Sequence, residues 1–160
     1  MKSLLLLFIF MSGQLTGPGR HTGRTPADFV DPTETYILKG QTEKNKIIGH
    51  SGEIRVKLLG KDRVAICFYI NKGYPGYESG SFVDTLAYTD DNEAVYTPST
   101  DQSCSFLFYF KAYSAETMQV YDNPSAGCGF GPGVMASALF AKYSSETPII
   151  QDLSARGVAP

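Results

Sequence analysis

The chain has 160 residues, 42% of them hydrophobic, with 14 Lys and Arg against 16 Asp and Glu for a formal net charge of −2. That length supports one domain with chain to spare at the ends. The charges are mixed and no run of Lys or Arg exceeds a pair, which excludes a concentrated phosphate-binding face and, with it, nucleic acid or an anionic membrane surface as the partner.

The opening "MKSLLLLFIFMSGQLTG" places one basic residue, Lys2, before the apolar run at residues 4–11, followed by small and polar residues. This is the order of a secretory signal, expected over residues 1–17. A run of that size spans about 12 Å as a helix against a hydrocarbon core of roughly 30 Å, too short for an ordinary membrane span. It contains no cysteine to carry a lipid. The expectation is a secreted or periplasmic protein with no membrane insertion once the signal is removed. Residues 18–33, rich in Gly, Pro, Thr and Arg, read as a flexible leader.

From Glu34 onward, short runs of β-branched and aromatic residues alternate with turn chemistry. "ETYILKG" is the first strand. "EIRVKLLG" puts Ile54, Val56 and Leu58 on one face, and a tight connection at Gly60, Lys61 and Asp62 leads to "RVAICFYIN", with Val64, Ile66, Phe68 and Ile70 on one face. "KGYPGYESG" reads as a loop, "SFVDTLAY" as a strand, "TDDN" as a turn and "EAVYT" as a short strand. "CSFLFYFKAY" aligns Cys104, Phe106, Phe108, Phe110 and Ala112; "SAE" turns into "TMQVYD"; "NPSAGCGFGPG" leads into "VMASALFAKYS". No window carries a helical period. The fold class expected is all-β: an antiparallel meander of about eight strands over residues 34–144, closing into a small calycin-like barrel that removes its edges. A two-layer sandwich is the alternative. Residues 145–160 form a C-terminal tail outside the core, with Ile149 and Ile150 able to dock on it.

The residues that could carry chemistry are few. Of two histidines, His21 lies in the leader and His50 in a turn, with no local carboxylate to orient it. No metal-ligand spacing or nucleophile motif occurs, so neither a metal nor a cofactor is expected, and the protein reads as a non-enzyme. Asp84 shares its phase with Phe82, Leu86 and Tyr88 and is therefore a candidate buried carboxylate in need of a partner or a wet cavity. The loop "NKGYPGYESGS" presents Tyr74 and Tyr77 beside Glu78, a rigid aromatic pair suited to contacting a partner or to capping the barrel end.

Three cysteines, Cys67, Cys104 and Cys128, allow three pairings. Cys104 begins a strand and Cys128 sits in a glycine-rich loop 24 positions on, a separation suited to a disulfide closing that corner. Cys67 stands mid-strand among bulky neighbours, where a thiol behaves as a small hydrophobe. The glycine loop, with Gly127, Gly129, Phe130, Gly131 and Gly133, opens a strand and lacks the G-x-G-x-x-G order, so it reads as a structural corner and not as a nucleotide cradle.

The pattern carried by Ser103, Cys104, Phe106, Phe108 and Phe110, then by Gly127, Cys128, Gly129, Phe130, Gly131, Val134, Ala136 and Phe140, resembles a group of poorly characterised exported bacterial domains. The likeness covers residues 52–143 and includes "GYPGYESGSFVDTLAY"; Ala138 departs from it where a glycine is expected. In architecture alone, a small exported barrel with one disulfide is also similar to the periplasmic C-type lysozyme inhibitors. That likeness implies a binding protein that acts on an extracellular or envelope hydrolase, or on another envelope component, through loops at one barrel end. A carrier of a small apolar ligand inside the barrel is the rival expectation. An aromatic-filled interior and an enclosed apolar cavity separate the two.

Overall fold

A computed structural model of the protein describes residues 29–121 and 128–151. Ten strands are described: β1 Glu34–Leu38, β2 Gln41–Glu43, β3 Lys46–Ile48, β4 Ser51–Leu58, β5 Arg63–Asn71, β6 Ser79–Ala87, β7 Glu93–Tyr96, β8 Cys104–Lys111, β9 Ser114–Tyr121 and β10 Ala138–Ser144. Eight of them make one antiparallel sheet in the order β6-β5-β4-β1-β10-β9-β8-β7, while β2 and β3 pair separately. Neighbours in the sequence are neighbours in the sheet, and the first strand pairs with the last, Tyr36 opposite Lys142. The result is an up-and-down meander nearly closed into a barrel, as the alternation of apolar residues predicts, and not two separate layers.

The closure is incomplete between β6 and β7. Only one isolated bridge, Tyr88 with Ala94, joins them, and farther along the rings of Phe82 and Tyr96 stack at 3.7 Å. β6 has nine residues and β7 four, so the two cannot pair along their length.

The interior is aromatic. Phe68 on β5 is fully buried, and the rings of Phe82, Phe106, Phe108, Phe130 and Phe140 stand 5.4–6.4 Å from it. Mixed stacked and edge-to-face angles let these quadrupolar rings fill the barrel. Ile54, Val56, Val64, Ile66 and Ile70 supply the aliphatic side of the core, each at 0% exposure. Residues 29–33, the last of the stretch expected to be a flexible leader, instead pack on the barrel and close one end, held by hydrogen bonds to Leu58, Tyr88 and Asn92. Pro32 is buried under Tyr36, whose hydroxyl donates to the Pro32 carbonyl, and Val30 exchanges hydrogen bonds with Asn92 and Tyr88.

Three further sequence expectations need correction. No strand is expected between "ETYILKG" and "EIRVKLLG", yet the hairpin β2–β3 forms there; it turns through Lys44 and Asn45, both with positive φ, without the glycine that usually marks such a turn. The segment Ser114, Ala115 and Glu116 is not a turn but the start of β9, with Ala115 opposite Phe110; the turn lies one step earlier, at Ala112 and Tyr113. Asp84 is exposed and not buried. It does lie on the inward phase of β6, opposite Ile66, but it stands where the wall is open beside short β7. Its carboxylate accepts the backbone N–H of Thr85 at 2.7 Å.

Candidate functional site: the loop end of the barrel

The strand directions place the long connections at one end. Residues 39–50, 72–78 and 97–103 and the stretch from Cys128 to residue 137 all lie there, whereas residues 59–62, 88–92 and 112–113 make short turns at the other. Most of the candidate site residues therefore converge: Tyr74, Tyr77, Glu78, the disulfide and the described part of the glycine loop share one rim. Gly127 lies outside the described residues.

The rim is knit together by the backbone. Tyr74 donates its N–H to the Ile47 carbonyl at 2.7 Å and bridges to Ile48, so the β5–β6 loop is tied to the β2–β3 hairpin. Tyr77, at φ 51°, returns its N–H to the Gly73 carbonyl at 2.8 Å, and Asn71 braces the turn by accepting from Gly73 and donating to the Tyr77 carbonyl. Gly131 donates to the Ser79 carbonyl at 3.1 Å, and Lys72 Nζ reaches the Pro132 carbonyl at 3.4 Å. Met135 gives its N–H to His50 Nε2 at 3.2 Å. Three loops thus hold one another, and His50 serves as a hydrogen-bond acceptor within that brace.

On this support Tyr74 and Tyr77 are 43% and 50% exposed, with their rings edge to face at 6.3 Å. Lys46 places its ammonium 3.7 Å from the centre of the Tyr74 ring, a cation–π contact that fixes the ring without covering its far side. Glu78 is exposed next to Tyr77. Met135, 61% exposed, adds an apolar side chain to the same rim. Sequence reasoning missed Met135, Lys46 and the bracing role of His50, because only the folded chain brings the hairpin against the glycine loop.

Beneath the rim, the glycine loop is a plug. Cys104 and Cys128 are bonded, with Cα atoms 5.5 Å apart and both residues buried. Gln119 donates to Cys128 Sγ at 2.8 Å and accepts from the Ala136 N–H at 2.9 Å, fixing the loop from the β9 side. Gly129 and Gly133, at φ 72° and 74°, turn the chain so that Phe130 points inward. Its ring stacks on Phe106 at 4.9 Å and on Phe68 at 6.0 Å.

Cys67 lies outside the disulfide. It faces outward on β5 and is nevertheless 0% exposed, with its thiol donating to the Gln151 carbonyl. Among the described residues no group of three or more His, Cys, Asp or Glu converges as a metal site, and no helix is long and apolar enough to cross a membrane. Compared with family profiles, curated proteins and solved structures, the chain matches none.

Proposed function

We propose that this is an exported binding protein that acts without catalysis, engaging a protein partner through the rim of loops at one barrel end. The partner class is an extracellular or envelope hydrolase whose cleft accepts the Tyr74–Tyr77 loop, by analogy with the periplasmic C-type lysozyme inhibitors. The observation that carries the reading is the pair Tyr74 and Tyr77: two large rings, exposed, and braced by main-chain hydrogen bonds before any partner arrives. Rigid tyrosines lose little conformational entropy on binding and dominate many interfaces. A disulfide is at home in an oxidising compartment, and the apolar run at residues 4–11 supports export.

The rival reading, a carrier of an apolar ligand, places that ligand where Phe68, Phe106, Phe108 and Phe140 are packed at 0–1% exposure. That packing supports the rim over the interior. An enzymatic reading through His50 has little support, since its Nε2 is already taken by the Met135 N–H.

The test is inhibition. The protein without residues 1–17 is added to a C-type lysozyme clearing a suspension of bacterial cell walls, beside the Tyr74→Ala/Tyr77→Ala variant. Slowed clearing by the parent and at least a tenfold weaker effect of the variant, about 1.4 kcal/mol, supports the reading. Equal effects of both proteins on clearing, or none from either, overturn it.

A further inference from the structure

Beyond β10 the chain folds back across the outside of the barrel. Arg55 on β4 donates from Nη1 to the Ile149 carbonyl at 3.5 Å, and the Cys67 thiol on β5 donates to the Gln151 carbonyl. This strap accounts for the full burial of Cys67 on an outward-facing position. Between the strap and the wall runs a groove of about 660 Å³ whose lining includes Thr35, Ile37, Glu53, Arg55, Tyr143 and Thr147. A second hollow of about 300 Å³ continues it over β1 and β10, sharing Ile37, Lys39 and Tyr143. These volumes fall in the range of small-molecule sites.

We propose that this groove is a binding site for a short neutral saccharide. Its lining carries Lys39 and Arg55 against Glu53 and Glu146, equal numbers of each sign. A balanced lining gives a phosphate or a nucleotide no electrostatic advantage, and a polycation none either. A wholly apolar ligand would strip water from the charged groups and return no hydrogen bond.

What fits is a ligand that donates and accepts at neighbouring positions. Arg55 Nε is paired with a Glu53 carboxylate oxygen, and these side chains are only 16% and 21% exposed, so the pair stands fixed on the groove wall. Together with the Thr35 and Thr147 hydroxyls it offers acceptors and planar donors side by side, the complement of vicinal hydroxyls. The apolar C–H face of a sugar ring needs an apolar counterpart. Ile37 supplies one in the lining, and Tyr143, 68% exposed, supplies an aromatic ring that faces solvent.

The site lies on the barrel wall and is independent of the rim. Isotope-labelled full chain is titrated with chitotriose and with maltotriose, with inorganic phosphate as the anionic control, and backbone amide shifts are followed by NMR. Saturable shifts confined to residues 35–39, 53–55 and 143–149, with a dissociation constant of about 1 mM or tighter for at least one saccharide, support the site. Tyr143→Ala, at an exposed position, weakens that binding about tenfold while the spectrum stays folded, and Tyr74→Ala/Tyr77→Ala leaves it unchanged. Absence of saturable shifts with both saccharides, shifts centred elsewhere, phosphate binding in the groove, or full affinity in Tyr143→Ala would overturn it.

Discussion

The ring of Phe130 occupies the space that a side chain on Gly80 would need: a β-carbon there would lie 2.2 Å from the phenylalanine Cγ. Gly80 sits near the start of β6 on the same inward phase as Phe82, opposite Ile70, and the glycine loop folds over it. One glycine on the wall and one phenylalanine in the loop are therefore a matched pair, and the disulfide at Cys104 and Cys128 holds the loop in register with the wall.

Gly80→Ala should expel Phe130 from its stack on Phe106 and destabilise the fold by about 1–3 kcal/mol, the usual cost of overpacking. Phe130→Ala should cost about 2–4 kcal/mol by leaving a hole at the barrel end. Because both act on one contact, the double variant should lose less than the sum of the two. Urea midpoints for the four proteins measure the coupling, and strict additivity would show that the two residues do not meet.

The disulfide closes a separation of 24 residues, for which chain entropy gives about 3 kcal/mol. Thermal melts with and without reductant should differ accordingly, and Cys67→Ser, which keeps a donor for the Gln151 carbonyl, should preserve the difference. Peptide mapping without reduction should recover Cys104 and Cys128 in one linked pair. A linkage through Cys67 would contradict the structure.

Tyr36 provides a pH signature. Its phenol is buried, and the carboxylate of Glu34 lies nearby; desolvation first and that charge second push its pKa well above the ordinary 10.0. The folded state then holds a proton that the unfolded chain releases, so this contribution is complete below about pH 10 and is lost as pH rises beyond it. The protein should lose stability steeply in that alkaline window. Tyr36→Phe should flatten the loss, at the expense of the hydrogen bond to the Pro32 carbonyl, about 1 kcal/mol at neutral pH. Chemical denaturation at a series of pH values measures both, and an unchanged alkaline slope in the variant would remove Tyr36 as the cause.

The barrel was legible in the sequence because its strands alternate cleanly. Cys104, Phe106, Phe108 and Phe110 all point inward, and residues between them such as Ser105 and Leu107 do not. The cysteine pairing was legible from position, one cysteine at a strand start and one in a corner. The plug was not, since nothing local to Gly80 marks it as the floor for a ring fifty positions later in the chain. The small β2–β3 hairpin escaped for a different reason: its strands have three residues each and its turn uses Lys44 and Asn45. At the candidate site the two tyrosines could be read from the loop, whereas Lys46 over Tyr74 and Met135 against His50 are contacts between segments far apart in sequence.

Asp84 shows how a phase argument can be sound and its conclusion still change. The residue occupies an inward position on β6, but the β6–β7 seam is open there, and the carboxylate meets solvent and the Thr85 N–H. It also lies close enough to Tyr96 across the seam to help burial hold that phenol above its ordinary pKa. An unpaired strand edge invites pairing with another chain, and an inward charge on such an edge opposes it. Val83 and Val95, 44% and 48% exposed on the two bordering strands, make the seam attractive without that charge. Asp84→Val should therefore leave the fold intact by circular dichroism while giving concentration-dependent association in analytical ultracentrifugation. Asp84→Lys, which keeps a charge at the edge, should sediment as the parent does. If both variants sediment as the parent does at every concentration, the carboxylate has no guarding role, and the stacked pair Phe82 and Tyr96 alone closes the seam.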